Sequence, residues 1–136
     1  MPIDAVTADK ISNKADTKES DIDNIEEQNM ILDIGKNTVK LIKNEISKSK
    51  TVFWNGPLGV FETSPFDRGT VEISKFISNL TANNKIRSFA GGGDTISALD
   101  LAGVKDNFSY VSTGGGALLE LIEGKKLPGL VALGIL

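Results

Sequence analysis

Two stretches of this chain have the composition to hold an anion. Gly91-Gly92-Gly93-Asp94-Thr95 follows the strand-like residues 86–90, and Thr113-Gly114-Gly115-Gly116 follows the strand-like residues 108–112. Glycines at a strand-to-helix turn let the backbone come close to a ligand. The helix start then offers unpaired N–H groups and the positive end of a dipole, which attract phosphate or carboxylate. An acid inside the first turn would repel a bare phosphate. Asp94 makes sense if the phosphate arrives with a divalent cation whose shell it helps to hold. The alternative is that Asp94 only caps its helix and the glycines relieve crowding. Two such turns at successive strand ends weigh against that alternative, because ligands of parallel sheets bind beyond the carboxyl ends of the strands. A third stretch, Trp54-Asn55-Gly56-Pro57-Leu58-Gly59-Val60-Phe61-Glu62, sets polar tips between two aromatics. It reads as a rigid turn pinned by Trp54 and Phe61, or as a turn in which Glu62 accepts from ribose hydroxyls and Asn55 donates to a phosphate oxygen.

These turns need a scaffold, and the apolar pattern supplies one. Residues 3–8 are compatible with a strand, and residues 9–29 read as an acidic, weakly structured excursion with few apolar anchors. After Gly35, the stripe Val39, Ile42 and Ile46 predicts a helix. Residues 51–54 read as a strand. Ser64-Pro65 reads as a helix start, with Ser64 as N-cap and Asp67 three residues on. Ile73, Phe76, Ile77 and Leu80 form that helix's buried face. The strands at 86–90 and 108–112 are each followed by a helix, stopped by Gly103 and Gly124 respectively. Strand, glycine turn and helix, three times over, predict an α/β fold. It would be a partial doubly wound, Rossmann-like parallel sheet with right-handed crossovers and its three turns on one side.

Composition removes most other chemistries. The 136 residues contain no cysteine and no histidine, which excludes disulfides, thiolate or imidazole metal sites and Ser-His triads. The net charge is −3, concentrated in the first thirty residues, and no dense basic stripe suggests nucleic acid. No apolar run approaches a membrane span, and Met1-Pro2-Ile3-Asp4 lacks the basic start of a signal peptide, so the expected location is cytoplasmic. Neither glycine triplet completes the dinucleotide fingerprint, because Ile96 and Leu119 stand where its last glycine belongs. Gly35-Lys36 is not a P-loop, since Met30 occupies the upstream glycine position.

Together with Asp4-Ala5-Val6-Thr7-Ala8-Asp9-Lys10, Leu32-Asp33-Ile34-Gly35 and Leu127-Pro128-Gly129, the three turns resemble phosphoglycerate kinase, in the C-terminal part of its nucleotide-binding domain. The resemblance runs in order along nearly all of residues 1–136. It implies phosphoryl transfer between 1,3-bisphosphoglycerate and ADP, giving 3-phosphoglycerate and ATP, with Mg2+. By that resemblance Glu62 contacts the ribose, Leu32 lines the adenine pocket, and Asn55 and Pro57 sit beside the nucleotide. Gly91, Gly92, Gly93, Asp94 and Thr95 hold its phosphates and magnesium, while Gly114 and Gly115 offer amides to the group in transit. Ile31 departs from the family, which usually has glycine there, as do Lys36 and Asn37, which follow Gly35 where a proline is usual.

The resemblance also implies that much is absent. The N-terminal domain with its substrate-binding arginines, a Gly-Gly-Ala-Lys stretch and a phosphate-binding lysine have no counterpart in these 136 residues. If the parallel sheet has the order 3-2-1-4-5-6, residues 3–8 form its third strand, two strands are missing, and residues 51–54 present an open apolar edge. Marginal stability or self-association, and little or no turnover by the chain alone, are expected. A binding module that recruits a partner through its acidic 11–29 segment, or the remnant of a decayed gene, are the alternatives.

Overall fold

The computed structural model describes residues 1–135. Its strands form two sheets. β1 (Asp4–Ala8) is the middle strand of an antiparallel sheet, between β2 (Lys18–Asp21) and β3 (Met30–Ile34). Helix α1 (Lys36–Lys48) leads into a parallel sheet of β4 (Thr51–Asn55), β5 (Arg87–Gly91) and β6 (Tyr110–Ser112), in that order. Helix α2 (Arg68–Ala82) crosses from β4 to β5, and α3 (Gly93–Leu101) crosses from β5 to β6. Helices α4 (Gly115–Ile122) and α5 (Pro128–Ala132) follow.

The expected strand–turn–helix repeat is therefore present three times, but three sequence expectations need correction. Residues 3–8 are not part of the parallel sheet, since β1 pairs antiparallel with both β2 and β3. A parallel return needs a crossover, usually a helix, and residues 9–29 contain none beyond a single 3₁₀ turn at Ile22–Asn24. That excursion also holds more order than its composition suggests. Its exposed strand β2 hydrogen-bonds along β1, and Lys18 pairs with Glu26 across the turn. Finally, α2 begins at Arg68, with Asp67 rather than Ser64 at its N-cap position. Phe66 is the reason. It is fully buried against Ala8 and Leu32, and its N–H donates to the Thr63 carbonyl, so residues 63–66 form a turn that drives an aromatic inward before the helix can begin.

The main core lies on one face of the parallel sheet. Val39 and Ile46 of α1, Trp54 of β4, Ile73 and Ile77 of α2, Ala90 of β5 and Leu99 of α3 meet there with Phe108. The Trp54 and Phe108 rings lie 6.5 Å apart at 58°. Alternation along the strands sends Phe53, Phe89 and Tyr110 to the opposite face. There α4 packs on β5, with the Gly115 Cα and Leu118 Cδ2 each 3.5 Å from where a Gly91 Cβ would lie. Phe53 and Tyr110 stay 39% and 55% exposed. Among the described residues β4 has no strand on its outer side, so the expected open edge is present.

Two remote aspartates tie the layers together. Neither α1 nor α2 has a local side-chain cap. Asp4 of β1 caps α1, accepting from the N–H of Asn37 (2.8 Å) and of Thr38 (2.7 Å) and from the Thr38 hydroxyl (2.6 Å). Burial opposes its charge, but those hydrogen bonds outweigh burial and hold its carboxyl below the usual range. Gly35 is required beside it, because a Cβ there would come within 2.6 Å of both carboxylate oxygens. Asp33 of β3 plays the same part for α2, accepting from Gly69 N–H at 2.7 Å and from Ile34 N–H at 2.8 Å. Here burial wins, and Asp67 adds to it, pushing the carboxyl up to about 6.

The sign of the Asp33 effect follows from its raised value. From pH 3.8 to about 6 the native chain keeps a proton that the unfolded chain releases, so this group's contribution to stability is lost as pH rises through that window. Urea melts of wild type and Asp33→Asn across that window should show a downward slope in wild type that the variant lacks. Equal slopes would mean that Asp33 ionises like an ordinary carboxylate.

Candidate functional site

The three glycine turns come together at the carboxyl ends of β4, β5 and β6. Gly56, Gly92 and Gly115 are the contact points. The Gly56 N–H donates to the Thr95 hydroxyl at 2.6 Å, joining the first turn to the start of α3. Gly92 has φ +101°, a conformation that L side chains rarely adopt, and a Cβ there would lie 2.8 Å from the Asn55 Oδ1. Gly115 meets Gly92 backbone to backbone. A Cβ on Gly115 would overlap the Gly92 nitrogen and come 2.5 Å from its Cα. The starts of α3 and α4 are thus held side by side, with no side chain between them. Their first-turn amides, from Gly93, Asp94 and Thr95 in one and Gly115, Gly116 and Ala117 in the other, have no partner within their own helices.

The surrounding elements set this geometry. Trp54 is buried in the core and its indole N–H donates to the Gly56 carbonyl, which closes the turn after β4. Leu58 N–H donates to the Thr70 hydroxyl at 3.0 Å, and Val60 N–H to the Leu32 carbonyl at 2.9 Å. Phe61 is buried and leaves its neighbour Glu62 exposed. An open groove of about 430 Å³ runs beside this loop, lined by Ile22, Ile31, Leu32, Pro57, Leu58 and Val60 among others. Asn55, Gly93, Asp94 and Gly114 are exposed at the sheet end, while Gly91, Thr95 and Gly115 are buried.

A magnesium ion fits this arrangement in one way. Among the described residues no three acidic groups cluster to form a metal cage. Asp94, exposed in the first turn of α3, offers one carboxylate next to a row of amides. That suits a cation that takes its other ligands from phosphates and water.

Residues 1–125 match the family model for phosphoglycerate kinase. Over 133 residues the chain is 50% identical to the phosphoglycerate kinase of Chelativorans sp. (strain BNC1), covering 98% of this chain and 33% of that protein. It is 46% identical to that of Xanthobacter flavus, over the same share of this chain and 34% of the other. The solved phosphoglycerate kinase from Coxiella burnetii superposes with a TM-score of 0.85 at 39% identity, covering 92% of this chain and 32% of that one. That from Pyrococcus horikoshii OT3 gives 0.80 at 34% identity, covering 99% and 32%. The chain belongs to the phosphoglycerate kinase family. It spans about a third of the length of the curated relatives it matches.

Within this phosphoglycerate kinase segment the structure gathers most of the residues singled out from sequence. Asn55, Gly91, Gly92, Gly93, Asp94, Thr95, Gly114 and Gly115 share one end of the sheet. Pro57 and Leu32 share the adjoining groove, although the Leu32 side chain is 5% exposed and packs on Ala8 and Phe66. The Thr95 hydroxyl already accepts from Gly56, so it holds the turns together. Thr70, Gly59 and Asp33 were missed. Asp33 left one signal, a charge between the apolar Leu32 and Ile34 where the strand should be buried. Thr70 and Gly59 left none, since their roles depend on Leu58, 12 residues from Thr70, and on Asp33, 26 residues from Gly59.

Gly115→Ala should abolish the close approach of the two helix starts, because the methyl meets backbone that cannot turn aside. Binding of magnesium pyrophosphate, followed by calorimetry, should fall by at least about tenfold, the loss of one charge-assisted hydrogen bond. Gly116→Ala, where the added Cβ meets open space, should bind as wild type. Equal binding by all three proteins would show that the turns do not form one anion site.

Proposed function

We propose that this chain is the phosphoglycerate kinase segment that holds the magnesium nucleotide and the phosphoryl group in transit, in reversible transfer between 1,3-bisphosphoglycerate with ADP and 3-phosphoglycerate with ATP. One observation carries the reading: the amides of two helix starts are set against one another by a glycine-to-glycine contact, with Asp94 beside them. Phosphoryl transfer asks a protein for positioning and charge neutralisation more than for a base, which suits a site without histidine or cysteine. The first-turn amides of α3 and α4 bind phosphate oxygens and orient them. Asp94 holds the magnesium, which when bound neutralises the phosphate charge. Asn55 donates to a phosphate oxygen, and Glu62 accepts from the ribose hydroxyls. The groove at Leu32, Pro57 and Val60 takes the apolar faces of the base.

The same geometry supports a chain that binds without turning over. The sequence has two arginines. Arg68 is engaged by Glu72 at 2.9 Å, and Arg87 lies at the amino end of β5, away from the glycine turns. The transferring group therefore has no arginine beside it to stabilise its charge in the transition state. Wild-type chain should bind MgADP in calorimetry and show no ATP consumption with 3-phosphoglycerate in a coupled assay. Asp94→Ala should remove the magnesium dependence of ADP binding. Absence of binding by wild type, or magnesium-dependent binding that survives in the variant, would overturn the nucleotide reading. Substantial turnover would overturn the claim of inactivity.

The open sheet adds a second expectation. β4 exposes unpaired backbone on its outer side, next to an apolar groove of about 480 Å³ that includes Leu41, Ile42, Val52 and Phe53. Such an edge is a template for another strand. A second copy of this chain should occupy it, with sedimentation velocity showing a concentration-dependent dimer that Phe53→Lys returns to monomer. A monomer across the whole concentration range would refute self-association.

A further inference from the structure

The two ends of the proposed nucleotide site are supported separately. The phosphate end is tied through Gly56 to Thr95 and through Gly92 to Gly115. The nucleoside end is the loop carrying Pro57 and Glu62, and its ties run elsewhere. Leu58 bonds to Thr70, next to Gly69, and Val60 bonds to Leu32, next to Asp33. Asp33 and Gly69 are themselves joined at 2.7 Å. Between them there is no spare room. A Cβ on Gly59 would lie 2.5 Å from Asp33 Oδ1 and 2.5 Å from the Phe66 carbonyl oxygen, and a Cβ on Gly69 would lie 2.5 Å from the same Oδ1. The loop, β3 and the start of α2 therefore meet on one carboxylate, which is 2% exposed.

We propose that Asp33 is a positioning residue for the nucleoside end of the site, holding the loop that presents Pro57 and Glu62 against β3 and α2. This rests on the nucleotide reading above. An aspartate that only capped α2 would not need a loop glycine pressed against it as well. The charged groups near it are Asp67, which opposes its ionisation, and Arg68, which favours it. Val6, opposite it on β1, and Gly59 of the loop carry no charge. Asparagine in its place keeps the shape but turns one acceptor into a donor, facing the N–H of either Gly69 or Ile34. One of the two ties is then lost.

The test uses two probes that report the two ends, adenosine and magnesium pyrophosphate, each titrated by NMR into the full chain. Asp33→Asn should weaken adenosine by about tenfold, the size of one charge-assisted hydrogen bond, and leave pyrophosphate as in wild type. A parallel loss of both probes, or no loss of either, would reduce Asp33 to a fold residue and overturn the inference. If the variant does not fold, the wild type still decides. Binding and ionisation are linked, so adenosine should displace the titration midpoint of the Asp33 carboxyl carbon while pyrophosphate should not, and an unmoved midpoint overturns the inference. If wild type binds neither probe, the nucleotide reading fails and takes this inference with it. If wild type binds both and Asp33→Asn binds both unchanged, only this inference fails.

Discussion

The contact on which the site depends is between two backbones. Gly92 and Gly115 touch where any side chain would separate them, and so two helix starts from neighbouring crossovers lie side by side. Each start alone carries a partial positive charge and a few unpaired amides, worth little in water. Set together at the end of a parallel sheet they can address one anion from two directions. The positive φ of Gly92 and the hydrogen bond from Gly56 to Thr95 maintain that spacing from the other strand. The glycine turns themselves contain no lysine or arginine and present peptide dipoles, which do not have to reorganise when a ligand arrives.

The charges the chain does bury serve the frame. Asp4 and Asp33 lie on strands of the antiparallel sheet, and each caps a helix that packs elsewhere. Both stand against glycines, Gly35 in one case and Gly59 with Gly69 in the other, because a carboxylate can reach a helix start only where no Cβ intervenes. Their titration differs for a physical reason. Asp4 receives three hydrogen bonds, one from a side-chain hydroxyl, and these overcome burial, whereas Asp33 receives two backbone bonds and also faces Asp67. The small sheet is thus fastened to the parallel-sheet half by buried ionic caps as well as by the apolar contact of Ala8, Leu32 and Phe66.

The chain spans about a third of the length of its curated relatives, and its parallel sheet is covered unevenly. A parallel sheet buries both faces and usually carries helices on each. Among the described residues one face has α2, α3 and part of α1, while α4 packs on the other, leaving Phe53 and Tyr110 to solvent beside the open outer edge of β4. The core that does form is closed well enough, around Trp54, Ile73, Ile77, Leu99 and Phe108, to hold the carboxyl ends of the three strands in register.

Sequence by itself determined the repeating strand, glycine turn and helix, the aromatic pins of the 54–62 loop and the family. All of these rest on local signals: residue type, short spacing and the 2-residue or 3.6-residue apolar period. Tertiary structure decided the rest. It placed β1 in a sheet of its own, because no helix was available to carry the chain back in parallel. It moved the start of α2 from Ser64 to Arg68, because burying Phe66 outweighed a good capping pattern. It also made Asp33 a junction between loop, strand and helix, since a carboxylate finds partners 26 and 36 residues away only after the backbone has folded around it.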